Sequence, residues 1–183
     1  ILRWMRCWTG TSERKGQTQT EMQVSTENKG WWCSHGAKLE EEFVGYAGSQ
    51  IVMNPEKAYD KYTYDLLYNG KPADLKSVRT PFFTAGKYGY DPNCTVSFNL
   101  KDLHRYQANY PDITVLFWAI WPAQERFGVS VDSIEGVWGY SLDEIREGDG
   151  AIHSYRRRRE DKSGNAKESM LLELRDSNLL DLS

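Results

Sequence analysis

Apolar and polar positions divide the chain into a long polar lead-in followed by a dense series of short elements. Residues 9–30 are dominated by Thr, Gln, Glu and Ser, with Met22 and Val24 as the main apolar members. This reads as a polar N-terminal arm over 1–30, with one short strand at 18–25 where alternation appears. Beyond Trp31 the pattern predicts a helix over 37–47 and a strand over 50–53. Strands over 62–68 and 71–79 flank Asn69-Gly70, the strongest short hairpin signal. A strand over 95–100 leads into a helix over 101–109 that stops before Pro111. Residues 112–121 are nearly all apolar and predict a strand buried on both faces. Short strands follow at 127–131 and 134–138, and Ser141-Leu-Asp-Glu144 forms a capping box that opens a helix to about 147. Segments 152–159 and 166–175 flank a polar turn and predict a C-terminal β-hairpin. The expected architecture is α/β, a single domain over 31–183 with a mixed sheet.

Composition narrows the class. The 183 residues include 27% charged and 39% apolar positions, an ordinary soluble globular balance. No apolar run approaches the roughly 18 residues of a membrane span, so no membrane partner is expected. The first residues lack the long apolar core of a signal peptide, and with Ile rather than Met at position 1 the chain is expected to be trimmed. Cys7, Cys33 and Cys94 are odd in number and in no C-x-x-C spacing, which disfavours a disulfide framework or a cysteine zinc site. A reducing, cytoplasmic location follows as the expectation. The net charge of −3 argues mildly against a strongly electrostatic nucleic-acid coat but leaves room for acids gathered at a metal.

The Asn69-Gly70 hairpin carries the candidate chemistry. A two-residue turn pairs Tyr68 with Lys71 and Leu67 with Pro72, and extends to Asp65 opposite Asp74 and Thr63 opposite Lys76. Pro72 fits this register, because a non-hydrogen-bonded position does not need its missing N–H. Two carboxylates would then face each other with Cβ atoms about 4.5–5.5 Å apart, which is destabilising unless one is protonated or a cation binds. Lys76 falls on the same face, while Tyr64, Leu66, Tyr68, Ala73 and Leu75 form an apolar face opposite. A third acid is selected by helical phase. Leu39, Phe43, Val44 and Ala47 define an apolar stripe that contains Glu40, with Glu41 at its edge and Glu42 outside it. A glutamate on a buried face needs a partner or a metal.

Asp65, followed across the hairpin by Asp74-Leu75-Lys76, resembles the PD-(D/E)xK motif of restriction-endonuclease-like nucleases. Gly36-Ala-Lys-Leu-Glu40 resembles the G-x-x-x-E element of its resolvase-like and RecB-like branches. The likeness runs from about 36 to 121, with 122–183 as a C-terminal extension that includes the extra hairpin. Tyr64 stands where the motif has proline, Asp74 is the rarer acid, and Gln107-Ala-Asn-Tyr110 is one residue short of the QxxxY element. The resemblance implies a restriction-endonuclease-like core, with a central mixed sheet flanked by helices, and metal-dependent hydrolysis of double-stranded or branched DNA. It implies Glu40, Asp65, Asp74 and Lys76 as catalytic residues, and Asp65, Asp74 and Glu40 as ligands of Mg²⁺, with Mn²⁺ as a substitute. A homodimer is the corresponding expectation for cutting both strands. Within the same superfamily, a Holliday-junction resolvase or an exonuclease fits as well, and a catalytically silent DNA-binding or assembly protein is a further alternative.

Ser77, Arg79 and Gln107 are candidate DNA contacts, as are Arg157 and Arg159 in the run from Arg156 to Arg159. A charged edge strand explains the arginine run equally well. The plainer reading of the acidic hairpin is a solvated charged face with a surface ion pair of little energetic worth.

Overall fold

A computed structural model describes residues 29–60, 62–147, 152–154 and 168–182. Helix α1 spans Lys29–Ala47, so it begins earlier than the expected 37 and takes in the segment around Trp31. The arm over residues 1–28, with its expected strand, lies outside the described residues, as do Arg157 and Arg159.

Five strands build the central sheet: β1 (Ile51–Met53), β2 (Leu66–Tyr68), β3 (Lys71–Val78), then β5 (Thr114–Trp121) and β8 (Ile134–Ser141), in the spatial order β1-β2-β3-β5-β8. β1, β2 and β3 form an antiparallel meander, β3 and β5 run parallel, and β8 returns antiparallel, so the sheet is mixed. The parallel step needs a crossover. It is made by β4 (Thr95–Asn99) and helix α2 (Leu100–Asn109), whose first turn is capped by the Asn99 side chain accepting from Lys101 N–H at 2.9 Å. β4 does not join the central sheet. It pairs with β10 (Glu168–Glu173), which also pairs with β9 (Ile152–Ser154), so the described parts of the expected C-terminal hairpin lie in a second, three-stranded sheet, and its turn lies outside the described residues.

Alternation along β5 separates two cores. Val115, Phe117, Ala119 and Trp121 pack with Phe98 of β4, Leu103 and Tyr106 of α2, and Ile145 of helix α3 (Leu142–Glu147). Leu116 and Trp118 pack on the other face with Phe43 and Ala47 of α1 and with Ala73 and Leu75 of β3. The chain after β10 returns to that second face, where Leu180 N–H donates to the Val137 carbonyl at 2.9 Å. Leu180 and Leu182 pack against its core.

Further local expectations change, and β8 runs on to Ser141 rather than stopping at 138. The strand expected at 127–131 splits into β6 (Gln124–Arg126) and β7 (Val129–Val131), with Phe127 in the turn at φ 57°. The Asn69-Gly70 turn forms as expected, both residues at positive φ, but β2 ends at Leu66 rather than reaching 62. Among the described residues no helix is long and apolar enough to cross a membrane.

Candidate active site

The hairpin register agrees with the sequence as far as the ladder runs: Tyr68↔Lys71, Leu67↔Pro72 and Leu66↔Ala73. The expected pairs of Asp65 with Asp74 and Thr63 with Lys76 do not form within it. Residues 63–65 bond to Asn54, just past β1. The Asp65 carbonyl accepts the Asn54 N–H at 3.1 Å, and the Asn54 side chain donates to the Tyr64 carbonyl at 2.9 Å and to Thr63 Oγ1 at 3.3 Å. The Asp65 bond continues the β1–β2 ladder, whereas the Tyr64 carbonyl, which the expected register would turn toward β3, is taken by the Asn54 side chain. Asp65 remains near enough for its charge to act on Asp74.

β3 separates its side chains as alternation requires. Ala73 and Leu75 enter the α1-side core, and Leu66 and Tyr68 join them. Tyr64 departs from the expected apolar face and packs edge-to-face on Tyr110, beside the opposite core. Asp74 and Lys76 look toward α2. Asp74 is only 3% exposed. One of its oxygens, Oδ1, accepts a short hydrogen bond from the Tyr106 hydroxyl. The other, Oδ2, lies 2.7 Å from Lys76 Nζ in an ion pair but accepts no well-directed hydrogen bond. Lys76 also donates to Asp102 Oδ2 at 3.0 Å and lies 5.8 Å from the Phe98 ring centroid. Arg105 donates to the Tyr106 hydroxyl at 2.6 Å and pairs with Asp102 at 3.5 Å. The charged face of the hairpin is therefore roofed by α2 and β4 rather than open to solvent.

The electrostatics follow from burial. Loss of water pushes the Asp74 carboxyl pKa up, and the nearby Asp65 charge adds to this against the pull of Lys76 and Tyr106. Burial would depress the Lys76 pKa, but the Asp74 carboxylate leads a set of neighbours that hold it above the usual lysine value. Burial and then Asp74 raise the Tyr106 hydroxyl, which keeps it a proton donor.

Glu40 behaves as its helical phase predicts. It is half-buried, whereas Glu41 and Glu42 are exposed. Its partner is Lys57, whose Nζ lies 2.5 Å from Glu40 Oε2 and also makes a short ion pair with Asp65 Oδ1. Burial opposes the charge on Lys57, and its bonds to Asp65 and Glu40 outweigh this and raise its pKa. Glu40, Asp65, Asp74 and Lys76 thus form two linked charge groups. Lys57 joins Glu40 to Asp65, and Asp65 acts through space on the Asp74–Lys76 pair.

The donor chemistry of Glu40, Asp65 and Asp74, three carboxylates, suits a hard divalent cation, and Asp74 Oδ2 is held 2.7 Å from Lys76 Nζ. As the side chains stand, no three His, Cys, Asp or Glu side chains converge among the described residues. Glu40 and Asp65 are drawn to Lys57, and Asp74 is turned to Tyr106 and Lys76.

The outlying candidates fare differently. Ser77 shares the α1-side face of β3 with Leu75, opposite Lys76, and its buried Oγ has no hydrogen-bond partner. Arg79 is exposed but sits over the Trp118 ring, its guanidinium carbon 4.0 Å from the centroid, on that same side. Gln107 is half-buried on α2, where its neighbour Tyr106 is the residue that reaches Asp74. Sequence reasoning missed Tyr106, Asp102, Arg105 and Lys57. The apolar spacing of Leu103, Tyr106 and Tyr110 marks Tyr106 as inward-facing, but no pattern in Pro55-Glu-Lys57 points to a site. Comparison of the chain with protein-family models, curated proteins and solved structures gave no match.

Proposed function

We propose that this chain is a Mg²⁺-dependent deoxyribonuclease that hydrolyses phosphodiester bonds of double-stranded or branched DNA, in the manner its PD-(D/E)xK-like motif implies. The observation that carries the reading is the pairing of a nearly fully buried Asp74 with Lys76 on central strand β3, with Asp65 acting on the same carboxylate. A nearly fully buried carboxylate that also feels the charge of a second acid costs stability, a cost that functional sites commonly carry.

Asp65 and Asp74 would hold Mg²⁺, with Glu40 as a further ligand. When bound, that ion supplies a water of lowered pKa and neutralises charge on the phosphoryl oxygens. Lys76 is held by Asp74 and Asp102, and its ammonium would orient the attacking water or stabilise the developing charge. Tyr106 fixes the Asp74 carboxylate through Oδ1 and leaves Oδ2 without a competing donor other than Lys76. The same residues serve a resolvase or an exonuclease, and a homodimer is the assembly that would cut both strands.

One observation favours a catalytically silent DNA-binding or assembly protein instead: Lys57 already neutralises Glu40 and Asp65. Cleavage of supercoiled plasmid, linear duplex and a four-way junction, with and without Mg²⁺, separates the readings. The nuclease is expected to cut only with metal, to lose at least about a hundredfold in rate in Asp74→Ala, and to reveal its subclass by the preferred substrate. Cutting that survives Asp74→Ala would place the chemistry elsewhere. DNA binding without cutting would favour the silent protein.

A further inference from the structure

Lys57 belongs to no part of the nuclease-like motif, yet it is ion-paired with two of the motif's acids. It sits in the 3-10 turn Pro55–Ala58, which opens on Asn54. Asn54 is buried, and its side chain accepts from the Glu56 N–H at 3.1 Å while donating to the Tyr64 carbonyl at 2.9 Å. Its backbone N–H bonds the Asp65 carbonyl at 3.1 Å. One buried residue thus ties the segment that carries Lys57 to the segment that carries Asp65. From the other side α1 brings Glu40, whose Oε2 is 2.5 Å from Lys57 Nζ. The ammonium therefore sits where acids from two separate elements converge.

Two carboxylates drawn together repel unless a positive charge lies between them. A lysine supplies that charge on a flexible four-carbon stem that can also withdraw, which a guanidinium with its rigid fork does less easily. The Lys57 side chain is 23% exposed, so its head has a way out to solvent. We propose that Lys57 is an internal counter-ion that holds Glu40 and Asp65 together until a divalent cation takes its place, and so sets how tightly the site binds metal. This inference rests on reading the site as metal-dependent. Lys57 is then a positioning residue, and the metal and its ammonium exclude one another.

The test is calorimetric titration of the full chain with Mn²⁺ and with Mg²⁺, together with metal-free melting curves, for the wild type, Lys57→Met, Lys57→Gln, Lys57→Arg and Asp65→Asn. Removing a competing cation should tighten Mn²⁺ binding by about tenfold or more in Lys57→Met. The metal-free form of that variant should melt lower, since two acids lose their shared partner. Lys57→Gln, which keeps a hydrogen-bonding head without charge, should show the same ordering and serves if the Met variant does not fold. Lys57→Arg should bind metal no more tightly than the wild type, and Asp65→Asn should lose the site. If metal binds through Asp65 but no more tightly in Lys57→Met and Lys57→Gln, the counter-ion role is overturned and the metal reading stands. If no variant binds metal, with or without Lys57, both fall.

Discussion

Asp74 is the residue at which stability and the proposed chemistry oppose each other. Its carboxyl pKa is raised in the fold, first by burial and then by Asp65. The sign follows directly. A carboxyl that ionises less readily when folded leaves the protein most stable below the unfolded aspartate value near 4, and stability declines as pH rises from there through the raised folded value. Asp74→Asn abolishes that decline, while Lys76 keeps its bond to Asp102 at 3.0 Å. The metal-free Asn variant is therefore expected to show a flatter pH dependence of its melting point than wild type between about pH 4 and 8, while losing cleavage. Melting curves from pH 3 to 8 check this, and an unchanged pH profile in the variant would contradict it.

The short helix α3 shows how a local motif can hold an element in place. Ser141 and Glu144 form the capping box read from the sequence: Ser141 Oγ accepts from the Glu144 N–H at 3.2 Å, and Glu144 Oε2 accepts from the Ser141 N–H at 2.8 Å. Asn178, from the chain after β10, adds a bond to Glu144 Oε1 at 2.9 Å. Burial works to raise the Glu144 pKa, but the Ser141 N–H leads a set of donors that lower it below the ordinary value. Its contribution is thus complete above the unfolded glutamate value of about 4.3 and fades as pH falls through the depressed folded value. Ser141→Ala is expected to cost about 1 kcal/mol at pH 7. The gap from wild type should narrow in acid, as paired denaturation curves at pH 7 and pH 3 would show.

For the molecule as a whole, the C-terminal chain closes the α1-side core. Leu180 and Leu182 pack on it, Leu179 bridges Trp138 by backbone, and Gln50 donates to the Asp181 carbonyl at 3.3 Å. β8 has been shaped to receive this chain. A Cβ added at Gly136 would meet the Trp138 side chain at 2.8 Å and Leu179 Cδ1 at 2.9 Å. Removing residues 176–183 is expected to destabilise the protein by on the order of 2–4 kcal/mol, from the apolar area that two partly buried leucines cover. Chemical denaturation of the truncated chain measures this, and an unchanged midpoint would mean that the tail is a passenger. The loss should appear in stability rather than in the Asp74–Lys76 pair, which lies on the α2 side of the sheet.

Local chemistry was enough to read the Asn69-Gly70 turn, the two-sided burial of β5, the capping box and the inward phase of Glu40. Each depends on neighbours a few residues apart, where backbone geometry and side-chain period act directly. The pairing of Asp74 with Lys76 on one face of β3 was legible for the same reason. The end of the β2–β3 ladder at Leu66 was not, since the Tyr64 carbonyl beyond it is bound by the side chain of Asn54, ten residues back. Tyr106 reaches Asp74 only because α2 crosses over β3, and Lys57 reaches Glu40 and Asp65 only because three segments converge. Likewise, β4 leaves the central sheet for β10, a partner far along the chain. These are contacts between distant segments, decided by the competition of whole elements for the same burial and hydrogen bonds, and no local pattern encodes the winner.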